Sequence, residues 1–195
     1  MKIIINVIAA LLVIALLVAI TFDKVEFKNS ITIDRPAPQA WLVLMDEHQA
    51  ARWLEGLQRV ETVFGQTRGV DSKRRFVYDD YASEETALEV VPPRLYVAQS
   101  LSPRARMLSE FAIEDMGEQC QLSWHSIMQP RGWRRVFIPL LKRGIAKQRQ
   151  RDLEALKRLV ETEPVRQFAV APTDEELGLP PGSTDLQPQA AAAPP

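Results

Sequence analysis

The side chains that most often perform chemistry are few in this sequence and far apart. It has two histidines, His48 and His125, and one cysteine, Cys120. A metal site or a nucleophile–base pair needs convergent partners, and the spacing of these residues offers none. Alternation along a strand turns His125 away from the face that Trp124 occupies, and it makes Cys120 a small buried apolar residue. The sequence therefore predicts no catalytic set, no metal ion and no cofactor.

The carboxylates closest together in sequence indicate a turn rather than a catalytic pair. Asp79 and Asp80 precede, and Glu84 and Glu85 follow, the short linker of a predicted hairpin. Acidic side chains at a hairpin turn are expected to be solvated, since burying a carboxylate is costly. We expect all four to be exposed.

Length and charge narrow the class of protein. A chain of 195 residues has room for one domain with appendages, and its formal net charge is −1. Such a balance argues against a nucleic-acid binder driven by global positive charge. The basic face predicted for residues 131–151 lacks interleaved aromatic residues. We expect no nucleic-acid partner.

The first 22 residues are predicted to be a transmembrane anchor. Ile3 to Phe22 contains no charged residue and only two polar ones, Asn6 and Thr21. Twenty helical residues span roughly 30 Å, the thickness of the hydrocarbon core of a bilayer. A cleaved signal peptide is the competing interpretation, but the run ends without a small-residue cleavage site. The flanking charges nearly balance, and the leader-like start slightly favours an extracytoplasmic domain.

The other end of the chain has the composition of a disordered tail. Residues 164–195 hold seven of the fourteen prolines and finish in an alanine–proline tract. Such a segment cannot bury enough apolar surface to offset the entropy of ordering it. Residues 23–163 therefore form the predicted folded domain.

Hydrophobic periodicity predicts the elements of that domain. Val25 to Asp34 is typical of a strand, and Pro36 to Gly56 of two short helices. A period of two then predicts six antiparallel strands joined by short linkers: Leu57–Phe64, Ser72–Asp80, Glu84–Val91, Arg94–Leu101, Arg106–Asp115 and Gln119–Met128. Trp133 to Glu163 carries an apolar stripe typical of a long helix. Pro139 is expected to end an early turn or to kink the helix near Val136. The predicted class is α+β, with a curved antiparallel sheet wrapped around the C-terminal helix.

Several segments in this order resemble the START/Bet v1-like superfamily, the helix-grip domains that include polyketide cyclase/dehydrase-like and lipid-transfer proteins. They are ITIDRPAPQAW at the first strand and helix, Trp53 in the second helix, GQTRGV, VPPRL, GEQCQLSW and finally LKRLVE. The resemblance covers about Phe27 to Glu163 and is specific as a set rather than in any one motif.

The resemblance implies a cavity between the concave face of the sheet and the long helix, used by many relatives for hydrophobic ligands. The positions expected to face it are Trp53, Phe76, Tyr78, Leu95, Val97, Phe111, Trp124, Phe137 and Leu141. The alternative is that these side chains fill a solid core, because alternation does not separate a lined pocket from a packed interior.

A second surface is predicted from charge. Eight basic residues and no acidic one lie between Arg131 and Arg151. On a tethered domain such a face would contact anionic lipid. We assign this role to Arg134, Arg135, Lys142, Arg143 and Lys147. A solvated helix face is the equally weighted alternative.

Three functions are compatible with the sequence. The first is a membrane-anchored protein that binds a lipid-like or other hydrophobic small molecule. The second is a cyclase/dehydratase-type enzyme in which Tyr78, His48 or a pocket acid transfers a proton. The third is a tethered interaction module that binds no ligand. The absence of a catalytic set favours the first.

Overall fold

The computed structural model describes residues 4, 6 and 7, 24–65 and 69–162. The chain divides into two units, Met1–Glu163 and Pro164–Pro195, and the fold below belongs to the first. Its elements are β1 (Val25–Ile33), α1 (Ala37–Met45), α2 (Glu47–Trp53), β2 (Leu57–Phe64), β3 (Lys73–Tyr78), β4 (Ala82–Val91), β5 (Leu95–Leu101), β6 (Ala105–Asp115), β7 (Cys120–Pro130), a 3₁₀ helix (Gly132–Phe137) and α3 (Ile138–Thr162).

The strands form one antiparallel sheet whose order is β1-β7-β6-β5-β4-β3-β2. Strands β2 to β7 are successive hairpin neighbours, as short linkers require. The first strand joins the far side by pairing with the last, with Phe27 opposite Ser126. Helices α1 and α2 therefore carry the chain from one edge strand, β1, to the other, β2.

That crossing begins at Pro36. The residue has extended backbone, and α1 starts immediately after it with Pro38 in the first turn, where a missing N–H costs no hydrogen bond. Trp41 on α1 is 5 % exposed and belongs to the main core. Asp46 then separates the helices and caps α2, because its side chain accepts a hydrogen bond of 2.9 Å from the His48 N–H.

Helix α3 covers the concave face of the sheet with one apolar stripe. Leu153, Leu156 and Val160 are fully buried, and they pack in the same cluster as Met45 of α1 and Leu122 of β7. Spacings of three and four residues place them on one side of the helix. This core fills the end of the sheet near α1, and the space beside the earlier turns of α3, residues 145–152, is lined differently.

The structure corrects the predicted face of β5. Tyr96 lies opposite Phe111 and Ala98 opposite Ser109, which puts Tyr96 and Ala98 on the concave face, so Leu95 and Val97 lie on the convex one. Leu, Tyr, Val and Ala follow one another here, so both faces of this strand are apolar. Pairing with β6, rather than alternation, decides which face turns inward.

Two predicted segments are not covered by these observations. Among the described residues no helix is long and apolar enough to cross a membrane. The predicted anchor, residues 1–22, lies outside the described residues apart from 4, 6 and 7, and the predicted tail, 164–195, lies outside them entirely.

Candidate functional site

A cavity of about 410 Å³ lies between the sheet and α3. Small-molecule sites have volumes of roughly 300–1,000 Å³, so this space is of the size that holds a ligand. Side chains from β2 to β7 line it on one side, and residues of α1, α2 and α3 close it on the other. The long helix and the sheet thus enclose a pocket rather than a solid core.

Three aromatic side chains form one wall of the cavity. The rings of Phe111 and Trp124 stack with centroids 4.9 Å apart. Trp53, at the end of α2, meets Trp124 edge to face at 6.4 Å. Residues 111 and 124 face each other across β6 and β7, so strand pairing brings these two rings together. We call Trp53, Phe111 and Trp124 the aromatic wall.

A hydrogen-bonded polar group, the Arg74 cluster, is buried on β3, β4 and β5. It consists of Arg74, Glu85, Tyr96 and Ser100. Arg74 Nη2 donates to Glu85 Oε1 at 2.7 Å and to the Tyr96 hydroxyl at 2.5 Å. Tyr96 donates to Glu85 Oε1 at 2.7 Å, and Ser100 donates to Glu85 Oε2 at 3.3 Å. The cation is therefore neutralised where it is buried.

Strand register assembles the Arg74 cluster. Glu85 lies opposite Arg74 on one side and opposite Ser100 on the other. The expectation that Glu85 is solvated is wrong: its exposed fraction is 9 %, because β4 turns it to the concave face toward a cation. Burial by itself would lower the pKa of Arg74, but Glu85 and Tyr96 raise it above its ordinary value.

The second buried arginine in the cavity lies in a different environment. Arg149, on α3, is 6 % exposed. It donates to the Ser126 hydroxyl, and Nη2 lies 2.9 Å from Met107 Sδ. Its guanidinium carbon is 4.5 Å from the ring centre of Trp124 and 4.8 Å from that of Phe27. All four partners are uncharged.

No carboxylate of the described residues lies within 4.0 Å of the Arg149 guanidinium. Burial accordingly lowers the pKa of Arg149 to about 10, and the more distant Asp152 only partly opposes this effect. Arg149, one of the eight basic residues counted between 131 and 151, is therefore not part of an exposed basic face, because its side chain turns inward. Helical spacing explains it, because residue 149 lies one turn before Leu153, in the buried stripe.

Three buried polar atoms of residues that line the cavity have no hydrogen-bond partner in the described part of the chain. They are the indole Nε1 atoms of Trp53 and Trp124 and the hydroxyl of Ser109, and all three residues line the cavity. Ser109 lies opposite Ser126, which accepts from Arg149. We call Arg149, Ser126, Ser109, Trp53 and Trp124 the Arg149 corner.

One turn along α3, a buried carboxylate also lines the cavity. Asp152 Oδ1 accepts from the Glu55 N–H at 3.3 Å and from Gln148 Nε2 at 2.9 Å. Burial raises the pKa of Asp152, and burial also raises the pKa of Tyr78, which stacks on Tyr81 at 4.7 Å. Tyr78 therefore stays protonated at neutral pH and offers a donor to the cavity.

Neither histidine lines the cavity. His48 lies on α2 in an exposed position, and His125 is on the convex face, where its Nε2 is 2.7 Å from Glu26 Oε1. Cys120 is fully buried, as predicted, and burial raises the pKa of its thiol to about 11. Within the described ranges no cluster of His, Cys, Asp and Glu could hold a metal ion. The groups present suit binding through donors and apolar contacts.

Five of the nine predicted ligand-binding residues line the cavity: Trp53, Phe76, Tyr78, Phe111 and Trp124. The other four do not. Leu95 and Val97 are on the convex face. Phe137, the last residue of the 3₁₀ helix, and Leu141, in the first turn of α3, are 45 % and 53 % exposed and come before the part of α3 that lines the cavity.

The predicted membrane-surface residues fall into two groups. Lys142, Arg143 and Lys147 are exposed on α3. Arg135 is half-buried and donates to the Pro130 carbonyl at 3.1 Å. The side chain of Arg134 lies outside the described residues.

Sequence reasoning missed the polar residues of the cavity, chiefly Arg74, Glu85, Tyr96, Ser109 and Arg149. Arg74 has the same parity as Phe76 and Tyr78, so strict alternation on β3 indicates an inward position. The stripe on α3 similarly includes residue 149. Both signals are present in the sequence, but charged residues are usually exposed, so neither signal by itself predicts a buried arginine.

Comparison with known proteins identifies related folds. Residues 24–161 match the family described as polyketide cyclase / dehydrase and lipid transport. No curated protein sequence matches the chain.

Several solved structures share the fold at low sequence identity. A START superfamily protein from Mycobacterium smegmatis superposes with a TM-score of 0.59 at 12 % identity, covering 70 % of this chain and 97 % of that one. The Zhui aromatase/cyclase from Streptomyces sp. R1128 gives 0.52 at 18 %, covering 70 % and 96 %. Norcoclaurine synthase from Thalictrum flavum, in complex with dopamine and hydroxybenzaldehyde, gives 0.55 at 13 %, covering 77 % and 94 %. These likenesses concern the fold.

Proposed function

Because the chain belongs to the polyketide cyclase/dehydrase and lipid transport family, we propose that it binds a hydrophobic small molecule between its sheet and α3. The observation that carries this proposal is the cavity of about 410 Å³ with its aromatic wall. The wall offers flat apolar surface, and the donors of Trp53, Trp124 and Ser109, which have no partner among the described residues, offer hydrogen bonds. An apolar lining with a few placed polar groups is the usual composition of a ligand site.

Binding is favoured over proton-transfer catalysis by the nature of these groups. Tyr78, which lines the cavity, has a raised pKa. Its hydroxyl therefore stays protonated at neutral pH, and it is a poor base. The one buried carboxylate on α3, Asp152, already accepts two hydrogen bonds. His48, the remaining predicted proton carrier, does not line the cavity.

The test is to identify what the protein carries. Full-length chain purified from its own cells would be extracted with organic solvent, and bound compounds quantified by mass spectrometry per mole of protein. We expect one hydrophobic compound in near-stoichiometric amount. Ser109→Phe, which fills the cavity, should lose it. Leu108→Phe, one residue along β6 on the convex face, should retain it.

Two results would contradict the proposal. One is the absence of any bound or added hydrophobic compound at stoichiometric level in the unmodified protein. The other is equal retention by the Ser109→Phe variant, provided that it is folded by circular dichroism, because a ligand elsewhere on the protein would ignore the cavity.

We also propose that the domain works at a membrane, tethered by the apolar run Ile3–Phe22. The supporting observation is the start of α3. Leu140 and Leu141 are 79 % and 53 % exposed there, next to the exposed cations Lys142 and Arg143. Exposed apolar side chains beside basic ones suit contact with anionic lipid.

This membrane contact can be tested with an environment-sensitive fluorophore. The label would be placed on Leu141→Cys in a Cys120→Ser background, with the full-length chain held in nanodiscs. We expect a blue shift when phosphatidylserine replaces part of the phosphatidylcholine. A label at Leu101→Cys, an exposed position on the sheet, is the control. Equal spectra in both lipids at position 141 would contradict the contact.

A further inference from the structure

The Arg149 corner combines a buried cation with donors that have no partner within the described ranges, and these residues belong to one region of the cavity. Arg149 lies over Trp124, Trp124 meets Trp53 edge to face, and Ser126 lies opposite Ser109. Each of the five residues is more than nine-tenths buried. The corner is therefore built by the fold and is not a set of surface groups.

Among the described residues, no carboxylate is in contact with the charged group of Arg149. A guanidinium offers five N–H donors, and in the described residues those of Arg149 meet a hydroxyl and a thioether, the latter a weak acceptor. Removing a cation from water without a paired anion is costly. Asp152 is nearby, but its hydrogen bonds are to Glu55 and Gln148.

The neighbouring atoms favour the same kind of partner. An indole N–H can only donate, so Trp53 and Trp124 each require an acceptor. The serine hydroxyl of residue 109 can donate as well. A guanidinium, two indoles and a hydroxyl around one space are complementary to an oxygen-rich group with negative charge.

The other polar group of the cavity does not offer this. In the Arg74 cluster Glu85 neutralises the arginine and also accepts from Tyr96 and Ser100. An incoming anion there would compete with a carboxylate already in place. The Arg149 corner is thus the place in this cavity where an anion gains most.

We propose that the Arg149 corner binds the carboxylate head group of an amphiphile whose apolar body lies along the aromatic wall. One negative charge balances one arginine, whereas a phosphate monoester would add nearly two beside Asp152. The planar guanidinium fork matches a carboxylate with two parallel hydrogen bonds. This inference rests on the proposed function and specifies the class of ligand: a carboxylic acid with a hydrophobic body.

The experiment uses matched ligands on the full-length chain in phosphatidylcholine nanodiscs, with empty discs as the blank for partitioning. Isothermal titration calorimetry would compare dodecanoate, dodecanol and dodecyltrimethylammonium, which differ only in the head group. We expect dodecanoate to bind about 10-fold to 100-fold more tightly than dodecanol, as a charge-assisted hydrogen bond permits. The cationic amphiphile should bind most weakly. Naphthoate distinguishes an aromatic body from an aliphatic one.

Two variants connect the selectivity to the corner. Arg149→Met should lose the preference for dodecanoate and keep the affinity for dodecanol. Arg151→Met removes an arginine that is exposed two residues farther along α3, and it should change neither. If Arg149→Met does not fold, the head-group preference of the unmodified protein decides the question alone.

The outcomes separate this inference from the proposed function. If dodecanol binds as tightly as dodecanoate, or Arg149→Met retains the preference, the cavity binds hydrophobic molecules and the head-group assignment is overturned. If no amphiphile binds, the proposed function fails first. A preference for dodecanoate that depends on Arg149 supports both.

Discussion

Two arginines are buried in one cavity, and their surroundings are opposite. Arg74 contacts the carboxylate of Glu85 at 2.7 Å, and its pKa is raised. In the described part of the chain Arg149 contacts only neutral groups, and burial lowers its pKa to about 10. The charge of Arg74, on a strand, is thus compensated within the structure. The charge of Arg149, on α3, is not compensated by a contacting carboxylate among the described residues.

The difference suggests a division of roles within the cavity. A satisfied buried network fixes the relative position of β3, β4 and β5. An unsatisfied one lowers stability, and such sites are retained where function needs them. Comparing the two arginines therefore separates the part of the cavity that holds the fold from the part that would hold a ligand.

The largest effect is expected from removing the counter-charge of Arg74. Glu85→Gln leaves this cation buried without a carboxylate, so the free energy of unfolding should fall by about 3–5 kcal/mol. Urea denaturation measures it. The matched control is Glu84→Gln, which breaks the neighbouring exposed pair with Arg75 and should cost about 1 kcal/mol or less. Equal losses would show that the buried Glu85–Arg74 pair contributes no more to stability than the exposed Glu84–Arg75 pair does.

The next effect concerns the geometry of the helix arginine. Arg149→Lys keeps a positive charge but loses the planar fork and the stacking on Trp124, so dodecanoate affinity should fall about 10-fold. Calorimetry in nanodiscs measures it. An unchanged affinity would mean that charge alone, without the fork, accounts for binding.

A smaller effect, of opposite sign, is expected at the carboxylate beside Arg149. Asp152→Asn removes a negative charge from the cavity, so dodecanoate should bind roughly threefold more tightly, while dodecanol is unaffected. Weaker dodecanoate binding would indicate that Asp152 positions Arg149 rather than repels the ligand.

The smallest effect is expected on stability when the helix arginine is removed. The lowered pKa of Arg149 means that the folded state holds its proton less tightly than the unfolded chain does. This cost applies at pH values below about 10 and is relieved as the pH rises through that value. At pH 7, Arg149→Met removes this cost but also removes the contacts of the guanidinium with the rings of Trp124 and Phe27. The two effects oppose each other, so the free energy of unfolding should change by no more than about 1 kcal/mol.

Arg74→Met is the counterpart for that last measurement. It leaves Glu85 buried without its cation, and we expect a loss of about 3–5 kcal/mol. If both methionine variants lose the same stability, the distinction between a structural and a ligand-directed arginine is wrong.

Most of the fold was predictable from the sequence, and the site was predictable in part. The predicted ends of strand β2 are the observed ones, and those of the other strands lie within two residues of the observed ends, because alternation and turn residues are local. Phe111 and Trp124 were correctly placed on the cavity side, because polar residues flank Trp124 and Glu110 precedes Phe111. Leu95 and Val97 were not, because β5 is apolar on both faces and only its pairing with β6 decides the direction.

The sequence by itself determined the order of elements, the aromatic residues of the cavity wall and the apolar stripe of α3, since each depends on a period of two or of about 3.6 residues. Tertiary structure decided which charged residues are inside. Glu85 is buried because β4 lies between Arg74 and Ser100, and Arg149 is buried because α3 crosses the strand that carries Ser126. Burial of a charge depends on the partner that reaches it, and those partners are 11, 15 and 23 residues away along the chain.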